Sequence, residues 1–421
     1  MKHWRCLRTV RLSQLAGVKR VPDKWLGVFR LRQDRTPHVT RDVILMIANK
    51  GANNSCQCVE SGCSIILDGS ALLALLDNYA NLTTLELRHT TFLNLTVFQR
   101  PLDQPQYQWA NIKTLDLSCC FEENYEKENA DTIVHEIVQL LPGLDELCLA
   151  YNTRLDGSCL LSVTENLKVL NLVMCRRLSG DIFSSALKSR FRQLDTVYVY
   201  SCYMLEPFCL TCLPATLRSI SISFCNSFDA ASVRHFLTSH SSSLRRLRAA
   251  HLKCLNGEIL TAIGGMDELE LLELSQYYRP DDHQRQIAGF LHACSLTTPL
   301  CEIARLARSL RQLDVNKNDF VNDEFIVKLA DSCTLLERLN VSDCHWITAA
   351  GGFVNIRQLT RLTHLEVAGN SAEMDLEVLF EIVEGTRELQ FVNASRCAWN
   401  MDTIRKCTRL WPLRETVFQF W

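Results

Sequence analysis

Neither sign of charge dominates this chain. Its 421 residues carry 45 Lys and Arg against 47 Asp and Glu, a formal net charge of −2, which leaves no basic footprint for sequence-independent binding to nucleic acid or anionic lipid. Long apolar runs are missing as well. The longest obvious block, Ala71 to Leu76, is far too short to span a bilayer, and Met1-Lys2-His3-Trp4-Arg5-Cys6 does not open a secretory leader. Nor is there a P-loop, a dinucleotide glycine fingerprint, a nucleophile elbow or an HExxH pair, the patterns by which common enzyme classes announce themselves. The pairs Gly264-Gly265 and Gly351-Gly352 read as turn glycines, and His135, His235 and His283 have no partner constellation that spacing reveals. These absences imply an intracellular protein, cytoplasmic or nuclear, that is not an enzyme, carries no cofactor and has no nucleic-acid or membrane partner. Asn-x-Ser/Thr triplets at Asn53, Asn81, Asn94, Asn340 and Asn393 read as chance matches to a glycosylation signal.

Cysteine, by contrast, is plentiful. Twenty residues amount to roughly one in twenty, below the density of a disulfide scaffold, and are read as reduced, mostly buried thiols. Cys56, Cys58 and Cys63 offer three zinc ligands with no histidine nearby, and Cys209 with Cys212 is a lone pair. Structural zinc wants four ligands, so no metal is expected at either place.

One frame recurs along most of the chain: apolar, two variable, apolar, one variable, apolar, two variable, then Cys or Asn. It reads LTTLELRHT from Leu82, IKTLDLSCC from Ile112, LDELCLAYN from Leu144, LKVLNLVMC from Leu167, LDTVYVYSC from Leu194 and LRSISISFC from Leu217. LRRLRAAHL from Leu244, LELLELSQY from Leu269, LRQLDVNKN from Leu310, LERLNVSDC from Leu336, LTHLEVAGN from Leu362 and LQFVNASRC from Leu389 follow. The last four begin 26, 26 and 27 residues apart, the period of a stacked repeat array. LRTVRLSQL from Leu7 fits too, and SIILDGS near Ile65 reads as a degenerate copy.

The alternation within each frame has the period of a strand, and the residues after it shift to helical spacing. Ile326, Leu329, Ala330 and Cys333 fall at i, i+3, i+4 and i+7 behind Asn322 or Asp323 as N-cap; Leu376, Leu379, Phe380 and Val383 repeat the stripe, and Ile133, Ile137, Leu140 and Leu141 make another that Pro142 ends. Each unit is therefore strand, turn, helix, and none can bury its apolar face alone. Strands stack about 4.8 Å apart whereas helices need roughly 8 to 10 Å, so the expected array curves, strands inside and helices outside. The ninth position, held by Cys120, Cys175, Cys202, Cys225, Cys344 and Cys397 or by Asn152, Asn318 and Asn370, is expected to turn inward and donate to buried turn carbonyls.

The stretch FIVKLADSCTLLERLNVSDCHWITAAG, Phe325 to Gly351, resembles the cysteine-containing subfamily of leucine-rich repeats, with Cys333, Leu336, Leu339, Val341, Cys344 and Ile347 at matching places. LKVLNLVMCRRLSGD, Leu167 to Asp181, repeats the match, and the resemblance extends over roughly Leu82 to Cys397. It implies an α/β, right-handed leucine-rich-repeat solenoid, a horseshoe of about twelve or thirteen repeats. The expected parts are residues 1–81 as a capping segment with one or two degenerate repeats, 82–397 as the array and 398–421 as a C-terminal cap.

Repeats of this kind are most often met in the substrate-binding half of F-box proteins, which look like adaptors delivering targets to an SCF-type cullin-RING ubiquitin ligase for proteasomal degradation. The resemblance thus implies a protein substrate on the concave face, with an SCF adaptor and cullin as further partners if an F-box lies upstream. Residues 1–50 show no F-box, although His3 to Leu12 resembles the join between an F-box and a first strand. A truncated gene model, a lost F-box and a chain that never had one all fit, as does an ordinary capping segment. The alternative function is a ligase-independent scaffold or inhibitor that binds a single protein partner.

On the expected concave wall the third, fifth and seventh frame residues face away from the core. Tyr198 and Tyr200, two frames from Arg246 and Arg248, combine aromatic and Arg anchors of the kind enriched at binding hot spots. Glu273 stands beside them as a candidate contact and also as an ion-pair partner for Arg248. Arg338, Asn340, His364, Glu366 and Phe391 form a second group, and the seventh position is mostly Ser or Ala, leaving room for a partner. Insertions at Phe92 to Trp109, Glu122 to Glu128 and Tyr277 to Pro299 are candidates for added contacts.

Overall fold

The computed structural model describes residues 9–11, 58–60, 65–68, 72–73, 76, 82–93, 109–121, 130–276, 296–304, 306, 308–370, 374, 376–397 and 417–419. The three insertions lie almost wholly outside these residues, as do Cys56, Cys63, His283, Asn53, Asn81, Asn94 and most of the two terminal caps. The chain divides into two compact units, Met1–Thr216 and Leu217–Trp421. Among the described residues no helix is long and apolar enough to cross a membrane.

In the first unit the strands are β1 (Thr9–Arg11), β2 (Cys58–Glu60), β3 (Ile65–Asp68), β4 (Thr84–Glu86), β5 (Thr90–Leu93), β6 (Thr114–Asp116), β7 (Glu146–Cys148), β8 (Val169–Asn171) and β9 (Thr196–Tyr198). All but β3 and β5 form one parallel ladder in chain order. β3 and β5 pair parallel in a sheet of their own. The repeat before Leu82 therefore enters the ladder through Cys58–Glu60, and the SIILDGS segment expected to be its strand belongs to the small sheet instead.

In the second unit β10 (Ser219–Ser221), β11 (Arg246–Arg248), β12 (Leu271–Glu273), β13 (Gln312–Asp314), β14 (Arg338–Asn340), β15 (His364–Glu366), β16 (Phe391–Asn393) and β17 (Val417–Gln419) form a second run of parallel neighbours. All twelve frames from Leu82 onward supply a three-residue strand starting at their third position. Registers match position for position, as in Gln312↔Arg338 and Asp314↔Asn340. Side chains of equal frame position therefore line up in rows, and the fourth-position Leu, Ile or Val of each frame is buried between them.

The ladder continues past the strands. The sixth-position N–H donates to the next repeat's fifth carbonyl, as from Leu149 to Asn171 (2.8 Å), and the eighth to the next repeat's seventh, as from Tyr151 to Val173 (2.7 Å). The eighth residue reaches this geometry in the left-handed region: ten non-glycine residues from His89 to Arg396 have φ between 53° and 63°. Such a conformation costs of order 1 kcal/mol for a non-glycine residue, and the inter-repeat hydrogen bond offsets it. Only Gly369 (φ 74°) uses the residue that adopts it freely.

The opposite face carries helices: α1 (Ala130–Gln139) and α2 (Gly180–Ser189) in the first unit, α3 (Ala230–Ser239), α4 (Gly257–Gly264), α5 (Asp323–Ser332) and α6 (Leu376–Gly385) in the second. Short 3-10 helices at Ser158–Ser162, Pro207–Cys212 and Phe353–Gln358 replace an α-helix in other repeats. Side-chain caps begin α2 to α5 at Ser179, Asp229, Asn256 and Asn322, each accepting the N–H three residues on. In α1 the expected apolar stripe is buried. In α6 the buried stripe is Val378, Leu379, Ile382 and Val383, with Phe380 half-buried.

Two carboxylates, Asp131 buried and Asp323 half-buried, tie helices to the next repeat. Asp131 accepts N–H bonds from Asp156, Gly157 and Cys159, and Asp323 accepts from the Thr348 N–H and hydroxyl, 2.7 Å each. Gly351 and Gly352 press against the Asp323 carboxylate, where a Cβ would collide; close approach explains that pair.

Ninth-position residues turn inward as expected. The Cys120, Cys175, Cys202 and Cys344 thiols donate to the previous repeat's sixth carbonyl at 3.1 to 3.2 Å, and burial pushes Cys175 and Cys344 up to about 12. Asn152, fully buried, does more. Its amide donates to Leu117 and Leu149 carbonyls and its oxygen accepts the Cys120 and Phe121 N–H groups, all at 2.8 to 2.9 Å.

Candidate protein-binding face

On β14 to β16 rows three and five lie on the side of the sheet away from the helices and flank the buried row four with the alternation of a half-open wall, whereas Asp116, Ser219 and Ser221 in the same rows are buried. Row seven shares the outward side with row five, since Arg88 is exposed and pairs with Asp116 and the Ser118 and Ser275 hydroxyls bond row-five carboxylates, but its small residues are covered. Ser118, Ala150, Ser223, Ala250, Ser275, Ser342, Ala368 and Ser395 are all buried, and some hydroxyls serve the backbone, as Ser342 does for the Ala368 N–H (3.1 Å). These small side chains lie against those of row five, as Ser275 does against Asp314 (3.3 Å), and the room they leave lies over that row.

In the first unit Tyr198 ends β9 and Tyr200 follows it, both half-buried. Arg246 and Arg248 lie on β11 in the second unit. The expected Tyr and Arg cluster is thus divided between the units. The pairing of Arg248 with Glu273 is present at 3.3 Å, and at this exposure such a pair contributes at most about 1 kcal/mol.

The second expected group comes together with part of the first. Arg248, Glu273, Arg338, Asn340, His364, Glu366 and Phe391 all line one open hollow of about 200 Å³ on β11 to β16. Leu271, Gln312 and Asp314 join them, with the buried Leu272, Leu313 and Leu339 of row four beneath. Sequence reasoning did not single out the first three, although their places in rows three and five were available as a signal.

The two rows differ in chemistry. In row three His364 and Phe391 hold their rings 5.8 Å apart, and Arg338 is exposed, its guanidinium without an ion pair among the described residues. In row five Asp314 accepts from the Asn316 N–H (3.0 Å) and amide (2.7 Å), the Ser275 hydroxyl (3.3 Å) and the Asn340 amide (3.1 Å). Glu366 accepts the Asn393 amide at 3.3 Å. Burial raises the Glu273 carboxyl above its ordinary value, with the Asp314 charge adding to the rise and Arg248 opposing it. Burial and then Arg338 lower His364, against Glu366, so its ring favours the neutral form.

Nothing at this hollow is arranged as a nucleophile with its base, and among the described residues no three His, Cys, Asp or Glu side chains gather as a metal would require. Cys209 and Cys212 donate instead to the Gly180 and Phe208 carbonyls. What the arrangement offers is a recess with an aromatic edge and fixed charges, the makings of a recognition site.

A family model described as "Leucine Rich repeat" matches residues 332–354. No curated protein matches the chain. Among solved structures it is similar to the yeast Rad7 and Elc1 complex (16% identity over 68% of this chain and 76% of that one, TM-score 0.46). It is also similar to an internalin from Listeria monocytogenes (15%, 85% and 86%, 0.41) and to a leucine-rich-repeat protein of Leptospira interrogans (16%, 100% and 97%, 0.44). Three-residue parallel strands in matched register, inward Cys or Asn at each turn and helices on the far face make this chain an α/β leucine-rich-repeat solenoid.

Proposed function

We propose that this protein is a recognition scaffold, that the hollow on β11 to β16 is its partner-binding face, and that it selects substrates for an SCF-type cullin-RING ubiquitin ligase. The hollow carries the first part: seven residues picked from sequence as candidate contacts line one recess. An aromatic edge beside fixed charges is the composition that concentrates binding energy at protein interfaces. The ligase role rests on the resemblance of Phe325–Gly351 and Leu167–Asp181 to cysteine-containing repeats of F-box proteins.

Affinity purification of the full chain from cells, followed by mass spectrometry, tests both parts. The wild type is expected to bring down a cullin, its adaptor and a small set of targets. His364→Ala with Phe391→Ala is expected to lose the targets and keep the ligase subunits. A target set unchanged by that variant rejects the hollow as the binding face. Targets recovered with neither cullin nor adaptor mark the chain as a ligase-independent scaffold.

A further inference from the structure

Row five of the second unit reads Arg248, Glu273, Asp314, Asn340, Glu366, Asn393: one cation beside three carboxylates. Glu273 and Asp314 are register partners across β12 and β13, and like charges directly opposite weaken a sheet. Arg248 answers Glu273. Asp314 and Glu366 receive neutral donors alone among the described residues. Those bonds fix the carboxylates in place without neutralising them.

Asp314 and Glu366 sit on β13 and β15, with β14 between, so their backbones stand about 9.6 Å apart. Asn340 stands between them, its amide donating to Asp314 at 3.1 Å. A guanidinium or ammonium seated over Asn340 stands between two carboxylates, open to charge-assisted hydrogen bonds from either side. Its alkyl stem then crosses row three at His364 and Phe391, whose rings cover apolar and cationic groups alike.

Resting on the reading of this hollow as the binding face, we propose that the occupant is a partner protein segment that inserts a lysine or arginine side chain between Asp314 and Glu366, with its stem against His364 and Phe391. Arg338, two residues before Asn340 on β14, then acts as a like charge at the rim. It sets a threshold that disfavours weakly matched basic segments.

The test uses a random peptide display library selected on the purified full chain, and binding of the strongest peptide to variants of matched melting temperature. Selected peptides are expected to share a Lys or Arg. Asp314→Asn with Glu366→Gln, which keeps shape and removes charge, is expected to weaken binding about tenfold or more, and Arg338→Ala to strengthen it. Peptides that need His364 and Phe391 but carry Asp or Glu, or that ignore the carboxamide variant, overturn this inference and leave the hollow as the binding face. Failure to select any peptide dependent on His364 and Phe391 overturns both.

Discussion

The interchange of Asn and Cys at the ninth position can be put to a quantitative test at Asn152. Its side chain makes four buried hydrogen bonds, two to carbonyls and two from N–H groups. At about 1 kcal/mol net for each bond, Asn152→Leu should destabilise the protein by about 4 kcal/mol, before any extra cost of stranded backbone groups. Asn152→Cys should cost about half of that. A thiol there reaches the Leu117 carbonyl as Cys175 reaches Leu149 (3.1 Å). The freed Cys120 N–H can turn back three residues as the Cys175 N–H does to Leu172 (3.0 Å). Urea denaturation followed by circular dichroism, with hydrogen exchange at the Cys120 and Phe121 amides, separates the outcomes. Equal losses for Leu and Cys, or losses below about 1 kcal/mol for both, would refute the hydrogen-bond account.

Other expectations follow from single features. Cys175 and Cys344, pushed up to about 12 by burial, should resist alkylation at pH 8 until urea opens the fold; rapid native-state labelling counts against their burial. At Gly369 a Cβ would collide with the Asp343 carboxylate that pairs with Arg396 at 2.8 Å, in a backbone region that side chains rarely adopt. Gly369→Ala should therefore cost about 2 kcal/mol or more, and less in an Asp343→Ala background; strictly additive losses in that double-mutant cycle contradict this. Burial, then Lys317, holds the His251 imidazole below its ordinary 6.5, with Asp314 opposing. The folded state thus prefers neutral His251, and the stability it lends above pH 6.5 is lost as pH falls through the native value. His251→Phe keeps a ring against Phe224 (centroids 4.2 Å) and should flatten the loss of urea resistance between pH 7.5 and 5.5, an expectation that fails if both proteins share one slope. Ser275→Arg should abolish capture of basic peptides and leave the melting temperature nearly unchanged; undiminished capture removes its basis.

Strand positions were legible because a two-residue period is rigid: a one-residue slip would expose every core Leu. Inward Cys and Asn were legible for the same reason. Left-handed eighth residues were not, since His89, Tyr151, Met174 and Asp343 share no side-chain chemistry and the demand is made by the backbone ladder. The entry strand at Cys58 was hidden because an obvious apolar run, Ile65 to Leu67, lay seven residues on. Row seven lies outward as alternation places it, yet its Ser and Ala are covered because short side chains there sit among the longer ones of row five, as Ser275 does beside Asp314. Of the hollow, the charged and aromatic members could be chosen by residue type; Leu271 and Gln312 enter only through their place in the ladder.

Position five shows how one row supports two outcomes. In a solenoid a residue meets only its own and adjacent repeats, so a carboxylate there must find its cation nearby or be left for a visitor. Asp116, in the first unit, finds one: Arg88, at position seven of the preceding repeat, lies 2.6 Å away, with the Ser118 N–H at 2.8 Å, and the carboxylate is buried. Asp314 has Ser275 at the place equivalent to Arg88, and Glu366 has Ser342. Neither serine brings charge, and both carboxylates remain half-exposed. An arginine at Ser275 would restore within the chain the pair that Asp116 already enjoys. An exposed pair of that kind adds about 1 kcal/mol at most, so stability hardly moves while the seat for a partner's basic side chain is filled. The seventh residue thereby decides whether the fifth is scaffold or site.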